Sequence, residues 1–291
     1  MPYQSKNTAT ASTARTDQLA FWNGPAGRNW TDLQEVLDDM LLPISDHLAV
    51  RSSIAKDEYV IDVGCGCGAS SIELGEKVGT TGRVIGIDIS TDMLSRARLL
   101  TPAGPPIEYL FADATNHDFE RDGADVVFSR FGVMFFPKPD LAFSNLYRAL
   151  RPGGRIIFSC WRAPRENLWL TLPLQETYKH VPRLEELGPE DPGPFSFALE
   201  ERVTRILRQA GFSSIALEAI DVSLDLAANR GLDQAVVTAL AIGPASRALA
   251  GHPIEKAQAV ETSIREALSR FQQGSKILLT GAIWIVTATK P

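Results

Sequence analysis

The stretch YVIDVGCGCGASSIEL, residues 59–74, decides the fold. A short β-branched run ends in an acid, glycines follow at every second position, and apolar residues then recur at a helical period. This pattern predicts a strand, a tight loop and a helix. Glycine permits positive φ angles and lets a ligand approach the backbone, and the helix directs unpaired N–H groups at the loop. We therefore expect a ligand with a carboxylate or phosphate group here.

Strands and helices alternate as far as residue 161, with further predicted strands at 84–88, 107–111, 125–128 and 155–161. Such alternation predicts an α/β fold with a Rossmann-like, doubly wound sheet that binds ligands at the carboxyl ends of its strands. A half-exposed strand at 220–226 and an apolar strand at 277–289 bring the total to about seven, with the last strand antiparallel beside the sixth. The rim should then carry Cys65, Asp88, Asp113, Arg130 and Trp161.

A proline-rich insertion and a run of helices interrupt this alternation. A long irregular insertion at a ligand rim is typical of a lid or binding loop. The start of the chain is rich in Ser, Thr and Ala, which indicates disorder. We divide the chain into a disordered arm (1–16), an N-terminal helical cover (17–57), an α/β ligand-binding core (58–162), a lid or cap insertion (163–198), a core helix with the sixth strand (199–225), a helical cap insertion (226–275) and the final core strand (276–291).

The composition excludes several classes of function. A net charge of −6 over 291 residues gives no global electrostatic footprint for nucleic acid or anionic membrane. The apolar runs are too short for a membrane span, and the N-terminus does not resemble a secretory signal. Three cysteines, two of them in the glycine loop without a second Cys or His pair at ligand spacing, predict neither a disulfide framework nor a metal site. We expect a cytoplasmic protein, and the sequence does not specify its oligomeric state.

The glycine pattern by itself fits two cofactor classes, because Gly64, Gly66 and Ala69 also satisfy the dinucleotide fingerprint. Asp88 can accept hydrogen bonds from ribose hydroxyls in either NAD(P) or S-adenosylmethionine (AdoMet). Asp62 precedes the first glycine, where its charge would repel a pyrophosphate but suit an ammonium group. These features favour AdoMet. An NAD(P)-dependent oxidoreductase stays open as the alternative enzyme, and an AdoMet-binding protein without catalysis as the alternative outside catalysis.

The motifs together resemble those of the class I AdoMet-dependent methyltransferases, and within them the small-molecule enzymes of ubiquinone and menaquinone biosynthesis. Residues 60–68, 86–90, 112–114 and 150–156 match the first motif, the ribose motif, the adenine motif and the turn before strand five. The resemblance is good over residues 30–161. It implies a set of cofactor contacts from loop and strand ends: Asp62, Gly64 and Gly66 for the methionine portion, Cys65 and Gly68 elsewhere in the loop, Asp88 for the ribose, Ile89, Met93, Asp113 and Ala114 for the adenine, and Ser129 and Arg130 beside the sulfonium.

Methyl transfer to a small molecule is an in-line displacement that depends mainly on positioning, so a general base is optional. His117, His180 and Arg130 are the candidates; a structural or surface role is the alternative for the histidines and a strand-end ion pair for the arginine. Aromatic residues indicate a partly apolar substrate, with packing as the alternative role: Trp22, Trp30, Trp161, Trp169 and Tyr178. Residues 129–132 read SRFG and lack the Pro-Pro-aromatic motif of amino-methylating DNA enzymes, which disfavours a nucleic-acid substrate. The sequence identifies neither the substrate nor its accepting atom (O, N, C or S).

Overall fold

A computed structural model describes residues 18–104, 106–185, 188 and 190–291, so the predicted disordered arm, residues 1–16, lies outside the described residues. The strands are β1 Tyr59–Val63, β2 Arg83–Asp88, β3 Ile107–Phe111, β4 Ala124–Arg130, β5 Leu150–Trp161, β6 Ser213–Asp225, β7 Gln272–Gln273 and β8 Lys276–Thr289. Seven of them form one sheet in the order β3-β2-β1-β4-β5-β8-β6, and the short strand β7 pairs with β8 alone.

Strands β1 to β5 pair in parallel, whereas β8 runs antiparallel to both β5 and β6. The predicted fold class, an α/β doubly wound sheet of seven strands with the last one antiparallel, is confirmed. Val60, Ile61 and Val63 of β1 are all buried, as a parallel strand covered on both faces requires. In β6 the residues Ile220, Val222 and Leu224 are buried and alternate with exposed ones, because this strand forms an edge of the sheet.

Helices flank the sheet or form the insertions. They are α1 Pro25–Asp32, α2 Gln34–Ser52, α3 Ala69–Val78, α4 Thr91–Leu100, α5 Pro139–Ala149, α6 Leu168–Thr177, α7 Glu200–Ala210, α8 Leu232–Ala241, α9 Gly243–Leu249 and α10 Ile254–Ser269. Residues 18–22 are also helical. In the part of the chain that the structure describes, no helix is long and apolar enough to cross a membrane.

The two parts of the predicted N-terminal cover have different positions. Helix α2 packs against β4, β5 and β6 through buried residues such as Met40, Ile44 and Leu48, so it belongs to the helical layer of the sheet. Helix α1 packs instead against α4, which begins at the carboxyl end of β2. The segment before α2 therefore lies at the rim, and its role as a cover stays a prediction.

The two predicted cap insertions pack together. Helix α6 contacts α9, α10 and β8, and α8 contacts α9, α10 and β8. Glu176 on α6 is buried and accepts hydrogen bonds from Ser263 on α10 and from Lys179. Residues from the first and second insertions thus form one helical unit against β8. Their separate roles, the first as a lid and the second as a cap, stay predictions.

Lys290 joins the end of the chain to the underside of the sheet. Its ammonium donates hydrogen bonds to Asp122 Oδ1 (2.6 Å), to the Leu150 carbonyl (2.6 Å) and to the Tyr147 carbonyl (3.0 Å). The last two carbonyls lie at the C-terminus of α5, where backbone acceptors lack helical partners and favour a cation. A buried cation with this set of acceptors should stabilise the fold.

We expect Lys290→Met to lower the free energy of unfolding by about 1–3 kcal/mol, because the carbonyls of Leu150 and Tyr147 and the carboxylate of Asp122 lose a charged donor. Urea denaturation monitored by circular dichroism measures this change. Lys276→Met is the matched control, since Lys276 is exposed in β8 and its replacement should stay within about 0.5 kcal/mol of the wild type. Equal effects of the two substitutions would contradict the role of Lys290.

Candidate active site

The loop between β1 and α3 carries three glycines with positive φ: 68° at Gly64, 56° at Gly66 and 90° at Gly68. A Cβ on Gly64 would lie 2.6 Å from the Cα of Gly132, so packing as well as φ requires glycine there. At Gly66 the nearest neighbour of such a Cβ is the sulfur of Met93, 3.8 Å away. Gly66 is therefore the point at which a ligand can approach the loop backbone.

Asp88 ends β2 and is bound to this loop. One carboxylate oxygen accepts the Gly66 N–H at 2.9 Å, and the other accepts the Ser90 N–H at 2.8 Å. Burial raises the pKa of Asp88, and the backbone donors Ser90, Gly66 and Ile89 oppose that effect. Each carboxylate oxygen keeps a further lone pair, so the acid that fixes the loop can also accept from a ribose hydroxyl.

Asp62 is fully buried beneath the loop. Its Oδ2 accepts hydrogen bonds from the hydroxyls of Ser71 (2.6 Å) and Ser70 (2.7 Å), whereas its Oδ1 has no partner within the described residues. Burial raises the pKa of Asp62 to about 6; the two serine hydrogen bonds and the charge of Arg130 oppose this shift. A buried acceptor without a partner is costly, and an ammonium group would satisfy it.

A cavity of about 320 Å³ opens beyond the ends of β2 and β3. Asp113 lines this cavity, and its Oδ1 accepts a hydrogen bond from the Thr115 N–H at 2.8 Å, which orients the carboxylate. The predicted adenine contact Ala114 is buried and does not line this cavity, whereas Ala112 does. A volume of this size suits a purine. The lining residues are Leu19, Ile89, Phe111, Ala112, Asp113, Asn116, His117 and Asp118.

Comparison with known proteins agrees with this geometry. Residues 60–154 match the family model of a methyltransferase domain. The demethylmenaquinone methyltransferase of Lactococcus lactis is 36% identical over 100 residues, which are 34% of this chain and 40% of that protein. The chain therefore spans less than half of that relative. The enzyme of the same name from Staphylococcus aureus is 27% identical over 195 residues, 62% of this chain and 80% of that protein.

A solved structure from Bacillus halodurans C-125, a candidate methyltransferase, shares the fold with a TM-score of 0.57 at 20% identity, over 85% of this chain and 98% of that one. The chain carries a methyltransferase domain, residues 60–154, on a fold that it shares with a solved methyltransferase-like structure. AdoMet is the cofactor of this methyltransferase, and the NAD(P)-dependent oxidoreductase considered from the glycine pattern is not favoured. The buried acceptor on Asp62, the open backbone at Gly66 and the adjacent cavity fit the amino-acid, sulfur and adenosine parts of AdoMet.

Two predicted contacts of the methyltransferase use their side chains for structure instead. The hydroxyl of Ser129 donates to the Val63 carbonyl at 2.7 Å and accepts the Gly132 N–H at 3.1 Å, which clamps the end of β4 to the end of β1. The side chain of Cys65 packs in an apolar cluster with Leu94, Ala97 and Tyr109. Both side chains point into the interior, so a contact of either residue with the cofactor would come from its backbone and stays a prediction.

Arg130 shows the ion pair that the sequence left as an alternative. Its guanidinium donates to Asp38 Oδ1 at 3.1 Å and to the hydroxyl of Ser45 at 2.8 Å, both on α2. The pair joins the end of β4 to the helix that flanks it. Arg130 is therefore engaged in structure at the sulfur end of the site and is not a free acid or base.

The two histidines proposed as a base of the methyltransferase lie on different parts of the structure. His117 lines the cavity after β3, and the ends of β3 and β4 are three strand spacings, about 14 Å, apart. His180 lies in the turn that follows α6. The role of either histidine as the base stays a prediction, and the general base stays unassigned.

The predicted aromatic contacts fall into separate groups. Trp161 is stacked on Phe131 with ring centroids 4.2 Å apart and lies 4.9 Å from Trp169. Trp22 packs edge-on against Trp30 at 6.2 Å, on the N-terminal segment. Tyr178 lies at the far end of α6, where Arg183 covers its ring at 5.5 Å. The first group borders the ends of β4 and β5 and is buried, and contact of any of these residues with a substrate stays a prediction.

Sequence reasoning missed three residues at the rim. Gly132 contacts Gly64, and Phe131 before it has a φ of 68°, which is unusual for a bulky residue. Asn23 joins the N-terminal segment to the core, since its Nδ2 donates to the Ile89 carbonyl at 2.7 Å and its Oδ1 accepts the Thr91 N–H at 3.0 Å. A glycine after strand four and an Asn-Gly turn at 23–24 were the available signals.

Asp88→Asn should weaken binding of S-adenosylhomocysteine by about 10- to 100-fold, because the charged acceptor for Gly66 and the ribose is lost. Isothermal titration calorimetry measures the affinity. Asp92→Asn, in the exposed first turn of α4, is the matched control and should bind like the wild type. An unchanged affinity in Asp88→Asn would reject the ribose assignment.

The pKa of Asp62 should make stability depend on pH in the cofactor-free enzyme. Burial raises this pKa from 3.8 to about 6, so the folded chain keeps a proton that the unfolded chain has released, and the resulting stabilisation is lost as pH rises through that interval. Relative to the wild type, Asp62→Asn should therefore gain on the order of 3 kcal/mol in its free energy of unfolding over this interval. Urea titrations at a series of pH values test this, and a constant difference between the two proteins would contradict it.

Proposed function

We propose that this methyltransferase acts on a small molecule with an apolar ring, of the chemical class named by its demethylmenaquinone methyltransferase relatives. The similarity to those relatives carries this proposal. The rings of Phe131, Trp161 and Trp169 border the ends of β4 and β5 and are almost fully buried, so they give that end of the site an apolar, aromatic backing. The acidic overall charge supports a small acceptor over a nucleic acid.

In this proposal the chain holds the cofactor at three points along the rim. The free Oδ1 of Asp62 accepts from the amino group, the carboxylate of Asp88 accepts from the ribose, and Ile89 and Asp113 border the adenine. When bound, AdoMet supplies a methyl group on a positively charged sulfur. The residues of the chain then position the acceptor and exclude water, which can supply much of the rate of such a displacement.

We further propose that the enzyme works in a reducing compartment such as the cytoplasm. Its three cysteines, Cys65, Cys67 and Cys160, are all free thiols. Cys65 and Cys160 are buried, and burial raises the pKa of each thiol, which disfavours the reactive thiolate. Free cysteines in this state suit a compartment that keeps thiols reduced.

Turnover with methyl-labelled AdoMet tests the proposed acceptor. We expect label to enter a demethylated naphthoquinol with a short isoprenoid chain, and not phosphoethanolamine or bulk RNA, because the relatives are named for a demethylated menaquinone and the overall charge of the chain is acidic. Asp88→Asn should lose this activity, and Asp92→Asn should retain it. Transfer to RNA would contradict the proposal. Binding of S-adenosylhomocysteine without transfer to any acceptor in a broad small-molecule panel would favour a non-catalytic AdoMet-binding protein.

A further inference from the structure

A small cavity lies within the cap, where α6 faces α8 and α9. Its volume is about 10 Å³, roughly the space of one water molecule. Leu170 lines it from α6, and Ala239 and Ile242 line it from α8 and the turn that follows. Trp169 and Thr238 are the lining residues with polar side-chain atoms, so the polar groups of the cavity can be considered one by one.

Trp169 carries a hydrogen-bond donor that the fold does not use. The residue is only 6% exposed, and its Nε1 is buried without a hydrogen-bond partner among the described residues. The indole nitrogen of Trp284, by contrast, donates to the Ala198 carbonyl at 3.0 Å. A buried tryptophan N–H normally has a partner, and leaving it unpaired is costly. The free donor of Trp169 therefore calls for an acceptor atom that a ligand could supply.

Thr238, the other polar residue of the cavity, is already engaged. Its hydroxyl donates to the Gln234 carbonyl at 2.9 Å and accepts from the Gln234 amide at 3.4 Å. A water molecule in the cavity would find at most two polar side chains, whereas buried waters make about three hydrogen bonds. An oxygen on an otherwise apolar molecule fits these surroundings better than water does.

Trp169 also adjoins the end of the sheet at which methyl transfer is expected. Its ring centroid lies 4.9 Å from that of Trp161, the last residue of β5, and Trp161 is stacked on Phe131 after β4. Asn167, two residues earlier, is fully buried and holds the start of α6 on β8. Its Oδ1 accepts the Ala282 N–H at 2.9 Å, and its Nδ2 donates to the Ala282 carbonyl at 3.2 Å. The position of Trp169 beside the strand ends is thus fixed by the sheet.

We propose that Trp169 determines specificity for the methyl acceptor, because its indole N–H donates a hydrogen bond to an oxygen of a neutral, apolar molecule. The inference rests on the proposed function, since it requires a small acceptor at the ends of β4 and β5. Among the described residues, no lysine or arginine lines the cavity. A carboxylate or phosphate buried there would lack a counter-charge, which is costly. The oxygen is therefore a carbonyl or hydroxyl.

The cavity has room for this oxygen, and α8 can move to admit the ring that carries it. Gly231, with a φ of 86°, precedes α8, and Gly243, with a φ of 75°, follows it. Glycine accepts large changes of backbone angle, and hinges often lie at the ends of elements. The oxygen then occupies the cavity, and outward movement of α8 makes space for the ring beside Trp169.

Two compounds with the same carbon skeleton test the hydrogen bond. 2-Methyl-3-prenyl-1,4-naphthoquinone carries two carbonyl oxygens, and 2-methyl-3-prenylnaphthalene carries none. Equilibrium dialysis measures the affinity of each for the enzyme saturated with S-adenosylhomocysteine. Trp169→Phe keeps an aromatic ring but removes the N–H, so it should weaken the quinone by about 3- to 10-fold and leave the hydrocarbon within about twofold.

Trp284→Phe is the matched control. It removes the same atoms from an indole whose nitrogen is bound to a backbone carbonyl and which does not line the cavity. Both compounds should bind this variant like the wild type. Thermal unfolding of every variant is followed by circular dichroism. Ala239→Val keeps the indole and narrows the cavity from α8, so it should also weaken the quinone, and it carries the test if Trp169→Phe does not fold.

Equal weakening of the two compounds in Trp169→Phe would make Trp169 a packing residue. Unchanged quinone binding in that variant or in Ala239→Val would remove the cavity from the acceptor site. In each of these cases the wild type still binds the quinone, so the proposed function stands. If the wild type bound S-adenosylhomocysteine but neither compound, the proposed acceptor class would be wrong and the inference would fail with it.

Discussion

Two glycine backbones touch where β1 and β4 end, and the geometry of the rim depends on that contact. A Cβ on Gly64 would lie 2.6 Å from the Gly132 Cα, and a Cβ on Gly132 would lie 2.5 Å from the Val63 carbonyl oxygen. Neither position has room for a side chain in a close-packed interior. The contact fixes the height of the loop above the sheet. Gly66 then lies where its N–H reaches the carboxylate of Asp88.

Three acids at the ends of neighbouring strands share this rim, yet their surroundings give them different properties. Asp62 accepts from two hydroxyls and keeps one buried oxygen free, so it can attract a cation. Asp88 accepts from backbone N–H groups on both oxygens, which holds it rigid, and Asp113 borders an open cavity. Two strand spacings, about 10 Å, separate the first acid from the third. A ligand that contacts all three must therefore be elongated and must change from cationic to aromatic along its length.

The order of these acids could be predicted from sequence, because parallel pairing brings the ends of β1, β2 and β3 to one edge whatever the side chains do. The direction of individual side chains could not. Whether Ser129 and Cys65 face a ligand or the interior depends on φ angles and close contacts in loops. Arg130 pairs with Asp38, 92 residues away, and that contact depends on how α2 docks on the sheet. Local patterns carry no information about such distant partners.

The N-terminal segment at the rim meets the cap insertion through a hydrogen bond, and α2 meets it through an ion pair. The amide of Asn29 on α1 donates to the Ala241 carbonyl at the end of α8 at 2.7 Å, and Arg230 pairs with Asp39 at 2.9 Å on the surface. A neutral hydrogen bond and an exposed ion pair each contribute about 1 kcal/mol or less. The buried face of α2 contributes far more, because it packs against three strands. The position of the segment at the rim is therefore set mainly by α2, the helix that flanks the sheet. The contacts with the cap contribute less.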